Sequence, residues 1–130
     1  MARSPAPATK TGNPDVILDL ILRDRVFYLV LENRREYPVS EVRVEFRRKL
    51  VGLGGAVEIS ALALWDRLEF LAPGKAIEVP VDRAEVFFAR EKATKITATV
   101  AYTDPEGGRF QAVISHDFAA YRDFPGILVR

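Results

Sequence analysis

His116 is the one imidazole in 130 residues, and its neighbour Asp117 is the residue type that would orient a general base. In an extended "RFQAVISHDF" (109–118), alternation puts His116 on the side of Phe110, Ala112, Ile114 and Phe118, and Asp117 on the other, so the two form no dyad. A lone histidine at the rim of a core is expected to be a hydrogen-bonded structural group. Ser60 and Ser115 lack the glycine frame of a nucleophile elbow. Asp104 and Glu106, in "TDPEGG", supply two carboxylates where calcium takes six to eight oxygens, and read as turn residues. "VGLGGA" (51–56) has neither the Lys and Ser/Thr of a phosphate loop nor the GxGxxG order, and reads as a hairpin tip. No catalytic residue, cofactor or metal is expected.

The feature that could hold an anion is cationic: Arg34 and Arg35, then Arg47, Arg48 and Lys49, with Tyr37 near by. If the strand that ends at Arg47 runs antiparallel beside the one that ends at Glu32, residues 47–49 lie near Arg25 and Arg34–Arg35 at the far end. The cations then form two clusters and read as solvated loop charge. A single-stranded nucleic-acid binder of OB type needs aromatic platforms on an exposed sheet face between such charges. Here the exposed positions around Arg43 are charged and Phe46 points inward. That β-barrel is the alternative reading, and nucleic acid is not the expected partner.

Composition narrows the field further. Nineteen basic against eighteen acidic side chains give a net charge of +1, which supplies no overall field for nucleic acid or anionic lipid. The absence of cysteine removes disulfides, thiolate nucleophiles and sulfur ligands. The longest apolar run, Val26 to Leu31, is far short of a membrane span, and the first residues carry no stretch of signal-peptide length, so a cytoplasmic location is expected. Fourteen of the nineteen basic residues are arginine, while Asn, Gln, Met and Cys together number four, a balance that leans towards a thermophile or a GC-rich genome.

Elements that could position side chains are short. Residues 1–14 carry three prolines without periodicity and are expected to form a flexible tail, leaving 15–130 as one domain. Two apolar runs, 15–22 and 25–32, read as a strand pair. Asn33 to Tyr37 is a loop, and after Pro38 a period of two sets Val42, Val44 and Phe46 inward and Glu41, Arg43, Glu45 and Arg47 outward. A helical turn around Ser60 to Trp65 leads to a short strand over 67–71. "LAPGK" suits a type II turn, with Pro73 presetting φ and Gly74 accepting positive φ. Strand 76–81 follows, with Ile77, Val79 and Val81 inward, and Asp82 could N-cap a short helix holding Val86 and Phe87 or Phe88. "TKITATVAYT", "DPEGG" and "RFQAVISHDF" make a hairpin with Ile96, Ala98, Val100 and Tyr102 on one face. The apolar ending "YRDFPGILVR" should dock on the domain or on a partner.

Short strands with turn signals every 8 to 15 residues and no long helical pattern predict an all-β chain. The expected architecture is an antiparallel immunoglobulin-like β-sandwich of about seven strands with one or two short helical turns. Three stretches, "LVLEN" followed by "VSEVRVEF", "LAPGKAIEV" and "ATVAYTDPEGG", resemble bacterial immunoglobulin-like sandwich domains of the CARDB type. That resemblance covers about half the chain and implies an accessory module for adhesion or assembly, with no catalytic residues.

The remaining signal is surplus apolar surface. Ile17 and Ile21 lie on the second face of the first strand, Val26, Tyr28 and Val30 on that of the next, and Trp65 adds to them. Such a patch is covered either by the 56–66 segment or the C-terminal tail, or by a protein partner or a second copy of the chain. The sequence therefore predicts a non-enzymatic module that acts by protein contact.

Overall fold

A two-residue turn opens the fold. Asp24 and Arg25 both take positive φ, 52° and 64°, the twist that lets two strands return on themselves without splaying. The computed structural model describes residues 15–122; the expected tail at 1–14 and the apolar ending beyond Arg122 lie outside them. Along this span run β1 (Val16–Arg23), β2 (Val26–Asn33), β3 (Val39–Phe46), the two-residue β4 (Val51–Gly52) and β5 (Val57–Glu58), helix α1 (Leu64–Arg67), β6 (Leu68–Leu71), β7 (Ala76–Arg83), helix α2 (Ala84–Arg90), β8 (Lys95–Thr103) and β9 (Arg109–Asp117). Single 3-10 turns lie at Leu53–Gly55, Ile59–Ala61 and Phe118–Tyr121.

One sheet has the order β1-β2-β7, the other β6-β3-β8-β9, and β4 with β5 forms a small ribbon. All the pairs are antiparallel. Without the ribbon, the seven remaining strands connect as 1-2-5 in one layer and 4-3-6-7 in the other. That is an immunoglobulin-like Greek key whose fourth strand sits on the layer of the third. The expected β-sandwich is therefore the fold, and neither sheet closes into the barrel of the alternative reading. Among the described residues no helix is long and apolar enough to cross a membrane.

Alternation builds the core. Val16, Leu18 and Leu20 of β1 and Phe27, Leu29 and Leu31 of β2 face Val42, Val44, Ala98 and Val100 of the other layer, all buried. Glu41, at φ 50°, is the extra residue of a bulge between Ser40 and Arg43, which lets Val39 and Val42 both point inward. Fully buried Phe27, Phe87 and Phe118 plug one end, with ring centroids 4.2 to 5.8 Å apart. Phe46 meets Trp65 edge-on at 5.3 Å.

Two expectations are corrected. β3 does not run beside β2, because the chain changes sheet at the corner after Asn33. Asp82 is not an N-cap: Arg83 occupies that position without a side-chain cap bond. The Asp82 carboxylate instead accepts from the Arg90 guanidinium at 2.8 Å and from the Gly54 N–H at 3.1 Å, tying β7, the end of α2 and the ribbon loop into one buried polar contact.

Candidate interaction surface

Every sheet has two edges, and an unpaired edge presents N–H and C=O groups to any extended chain. Three of the four edges are blunted. On β1, the Arg34 N–H bonds to the Asp15 carbonyl, so odd-numbered residues face β2 and even-numbered ones face outward. The outward Leu18 carbonyl accepts from His116 Nε2 at 2.7 Å, and the outward Leu20 N–H donates to Asp19 Oδ1 at 2.9 Å. His116 thus caps a strand edge from the opposite sheet. On β7, Pro80 removes a donor and the ribbon presses so close that a Cβ on Gly52 would stand 2.2 Å from the Val81 carbonyl oxygen. β6 is only four residues long.

β9 is different. It pairs with β8 in unbroken register from Arg109↔Thr103 to Asp117↔Lys95, with neither bulge nor proline. The Phe118 N–H donates to the Thr94 carbonyl at 2.9 Å and the Asp104 N–H to the Gly108 carbonyl at 2.8 Å, which makes the even-numbered residues of β9 its hydrogen-bonded partners to β8. The Arg47 N–H reaches the Thr97 carbonyl at 2.9 Å, so β8 turns its odd residues to β3 and the same parity follows independently. The backbone groups of Arg109, Gln111, Val113, Ser115 and Asp117 therefore point out of the sheet edge, and no described group bonds them. Their side chains share the solvent face, where Val113 is 55% exposed. The inward residues from Phe110 to His116 are only half-buried, because a four-stranded layer overhangs a three-stranded one here.

Of the apolar residues singled out in the sequence, Ile17, Ile21, Val26, Tyr28 and Val30 do share the outer face of the β1-β2-β7 sheet, in cross-strand rows such as Ile21–Tyr28–Pro80. Around Tyr28 that face is covered by side chains of its own sheet. The Arg23 guanidinium lies 4.5 Å from the Tyr28 ring centroid and donates to both Glu78 oxygens at 2.6 and 3.2 Å. The same contact holds the Glu78 carboxyl below its ordinary range and raises Arg23 further above its own. Val30 is buried, and the others are half-buried. Trp65 is not on that face: it is 3% exposed and its indole N–H donates to the Ile59 carbonyl. Of the covers the sequence offered, the 56–66 segment turns elsewhere: Val57 and Glu58 pair with the other strand of the ribbon, and Ile59 and Trp65 are buried in the core.

The cations stay in two groups at opposite ends of β8. Arg35 pairs with Asp15 and stacks 4.2 Å from the Tyr37 ring centroid, and the Arg34 backbone bonds Asp15. Lys49 turns to Glu58 at 3.7 Å. Arg47 and Arg48 line an open depression of about 310 Å³ with Thr94, Lys95 and Thr97. Lys95 carries no signal in the sequence, since only the β3–β8 register brings it there.

A model described as Domain of unknown function (DUF8453) matches residues 6–122. The chain belongs to the DUF8453 family. No curated protein and no solved structure matches it. The DUF8453 match spans every described element, so β9, with an outer edge that no described residue pairs, lies inside the family domain. The sequence alone missed that edge, because strand order decides which strand is terminal in a sheet. A partial signal was present, in nine residues over 109–117 without proline or lysine.

Proposed function

We propose that this DUF8453 domain is a non-enzymatic assembly module that works by protein contact, adding an extended strand of a partner to the free edge of β9. One observation carries the reading: among the described residues, β9 is the edge strand whose outward backbone groups run on without a cap, a proline or an early end, whereas β1 is capped at Leu18 and Leu20, β7 carries Pro80 under the ribbon and β6 is short. Strand addition draws its affinity from main-chain hydrogen bonds and its selectivity from alternate side chains. The resemblance of "LAPGKAIEV" and "ATVAYTDPEGG" to CARDB-type accessory domains points to the same class of role.

Amide hydrogen exchange on dilute protein tests this. The Gln111, Val113 and Ser115 amides should exchange on the timescale of open backbone, while those of Ala112 and Ile114 are slowed by β8. Uniform protection of all five in dilute monomer would mean that the chain closes its own edge, and would end the proposal.

A further inference from the structure

We infer that the added strand is β9 of a second copy, paired antiparallel about a two-fold axis at Val113. This rests on the strand-addition reading above. A two-fold axis through an odd-numbered residue sets odd against odd, so the five residues with open backbone groups meet the same five of the second copy. Each such pair exchanges two N–H···O bonds.

Register is decided by side chains. Pairing about Val113 matches residues whose numbers sum to 226: Arg109 faces the partner's Asp117, Gln111 faces the partner's Ser115, and Val113 faces its twin. Opposite charges thus meet at both ends, two hydrogen-bonding pairs flank the centre, and the most exposed apolar residue of the strand is covered. A slip of two residues towards the hairpin turn puts Arg109 against Ser115 and pushes Asp117 onto Gly107, losing both charge pairs. A slip the other way sets Gln111 against Asp117 and pushes Arg109 past the strand end. Parallel pairing in register would set Arg109 against Arg109, a like-charge contact.

The groups that would meet are available. Arg109 enters none of the ion pairs among the described residues. Asp117 spends one oxygen, Oδ1, on both the Thr94 hydroxyl at 2.8 Å and the Ala119 N–H at 2.9 Å, which leaves Oδ2 for a guanidinium. The overhang also fits. Ala112 would lie against the partner's Ile114, covering inward residues that the three-stranded layer leaves half-buried. The product is one continuous sheet, β6-β3-β8-β9 joined to its symmetry copy, with no free β9 edge.

Sedimentation equilibrium on wild type, Arg109→Glu, Asp117→Arg and Val113→Lys tests the arrangement. Wild type should be a dimer. Each charge reversal turns two attractive contacts per dimer into repulsive ones and should weaken association about thirtyfold. An equimolar mixture of Arg109→Glu with Asp117→Arg restores opposite charges at both ends and should recover a one-to-one heterodimer that neither forms alone. Val113→Lys opposes two ammonium groups on the axis and should give a monomer with an unchanged fold by circular dichroism, so the test stands even if Asp117→Arg fails to fold. A dimer indifferent to Arg109→Glu and Val113→Lys would place the interface elsewhere and overturn the inference. Wild type that stays monomeric at roughly millimolar concentration, with the odd amides of β9 still exchanging freely, would also overturn it while leaving strand addition by another chain standing.

Discussion

Asn33 holds the corner at which the chain leaves one sheet for the other, and replacing it should cost more than any surface change. The side chain is fully buried; Nδ2 donates to the Tyr37, Leu71 and Ala72 carbonyls at 3.0, 3.1 and 3.3 Å, and Oδ1 accepts from the Arg35 N–H at 2.9 Å. In Asn33→Ala, water can reach the half-buried carbonyls of Tyr37 and Ala72 and the Arg35 N–H, but the buried Leu71 carbonyl loses its side-chain partner. At ~1–3 kcal/mol for that orphaned group the loss is about 1–3 kcal/mol, or roughly 4–12 °C in Tm for a domain of this size. Asn33→Asp keeps the acceptor for Arg35 but sets a carboxylate oxygen against three carbonyl oxygens. It should therefore be less stable than Asn33→Ala at neutral pH. Burial without a cation raises the folded pKa of that new carboxyl, so the folded state takes up a proton that the unfolded state releases, and the deficit should shrink as pH falls through that raised value. Urea unfolding followed by the fluorescence of Trp65, the single tryptophan, reads both comparisons. The account of the corner is refuted if Asn33→Asp matches or exceeds Asn33→Ala at neutral pH, or if acid does not narrow its gap to wild type.

Gly52→Ala should destabilise by about 2–3 kcal/mol, because its Cβ would stand 2.2 Å from the Val81 carbonyl oxygen and 2.9 Å from Ile59 Cγ1. Gly54→Ala, with no atom within 4 Å but a φ of 70°, should cost only about 1 kcal/mol by the same denaturant titration; equal losses would mean the ribbon is not pressed on β7. The Asp117 carboxyl is held below its ordinary value by the Thr94 hydroxyl and then by the Ala119 N–H. Because its folded pKa is depressed, its contribution is present above the unfolded value and is lost as pH falls through the folded one. The Tm advantage of wild type over Asp117→Asn should therefore fade as pH falls below the ordinary carboxyl value of 3.8, measured by thermal melts of dilute protein, and a constant difference would contradict it.

Where side-chain period alone decides structure, the sequence is a good guide. Val42, Val44 and Phe46, and Ile96 through Tyr102, face inward as alternation requires, and Gly74 and Gly107 take the positive φ that "LAPGK" and "DPEGG" imply, 72° and 86°. What stayed hidden depends on residues distant along the chain. Asp82 before a helical pattern reads as a cap, but Arg90 and the Gly54 N–H claim it first. Glu41 at positive φ has no glycine to announce its bulge. Trp65 reads as surplus surface until Phe46 and the Ile59 carbonyl are placed around it. The openness of β9 depends on which strands stand beside it, a property of sheet order that no single stretch encodes.

The sheet change after Asn33 also governs how quickly the chain can find its fold. Local pairing is confined to the β1–β2 and β8–β9 turns and the small ribbon, and hairpins of that kind zip in microseconds. Leu29 must meet Val79, and Val44 must meet Val100, so the central strands of both layers wait on closing loops of fifty residues or more. Refolding on the scale of milliseconds to seconds follows from so non-local a contact map, with two early hairpins searching for partners that the intervening chain delivers late.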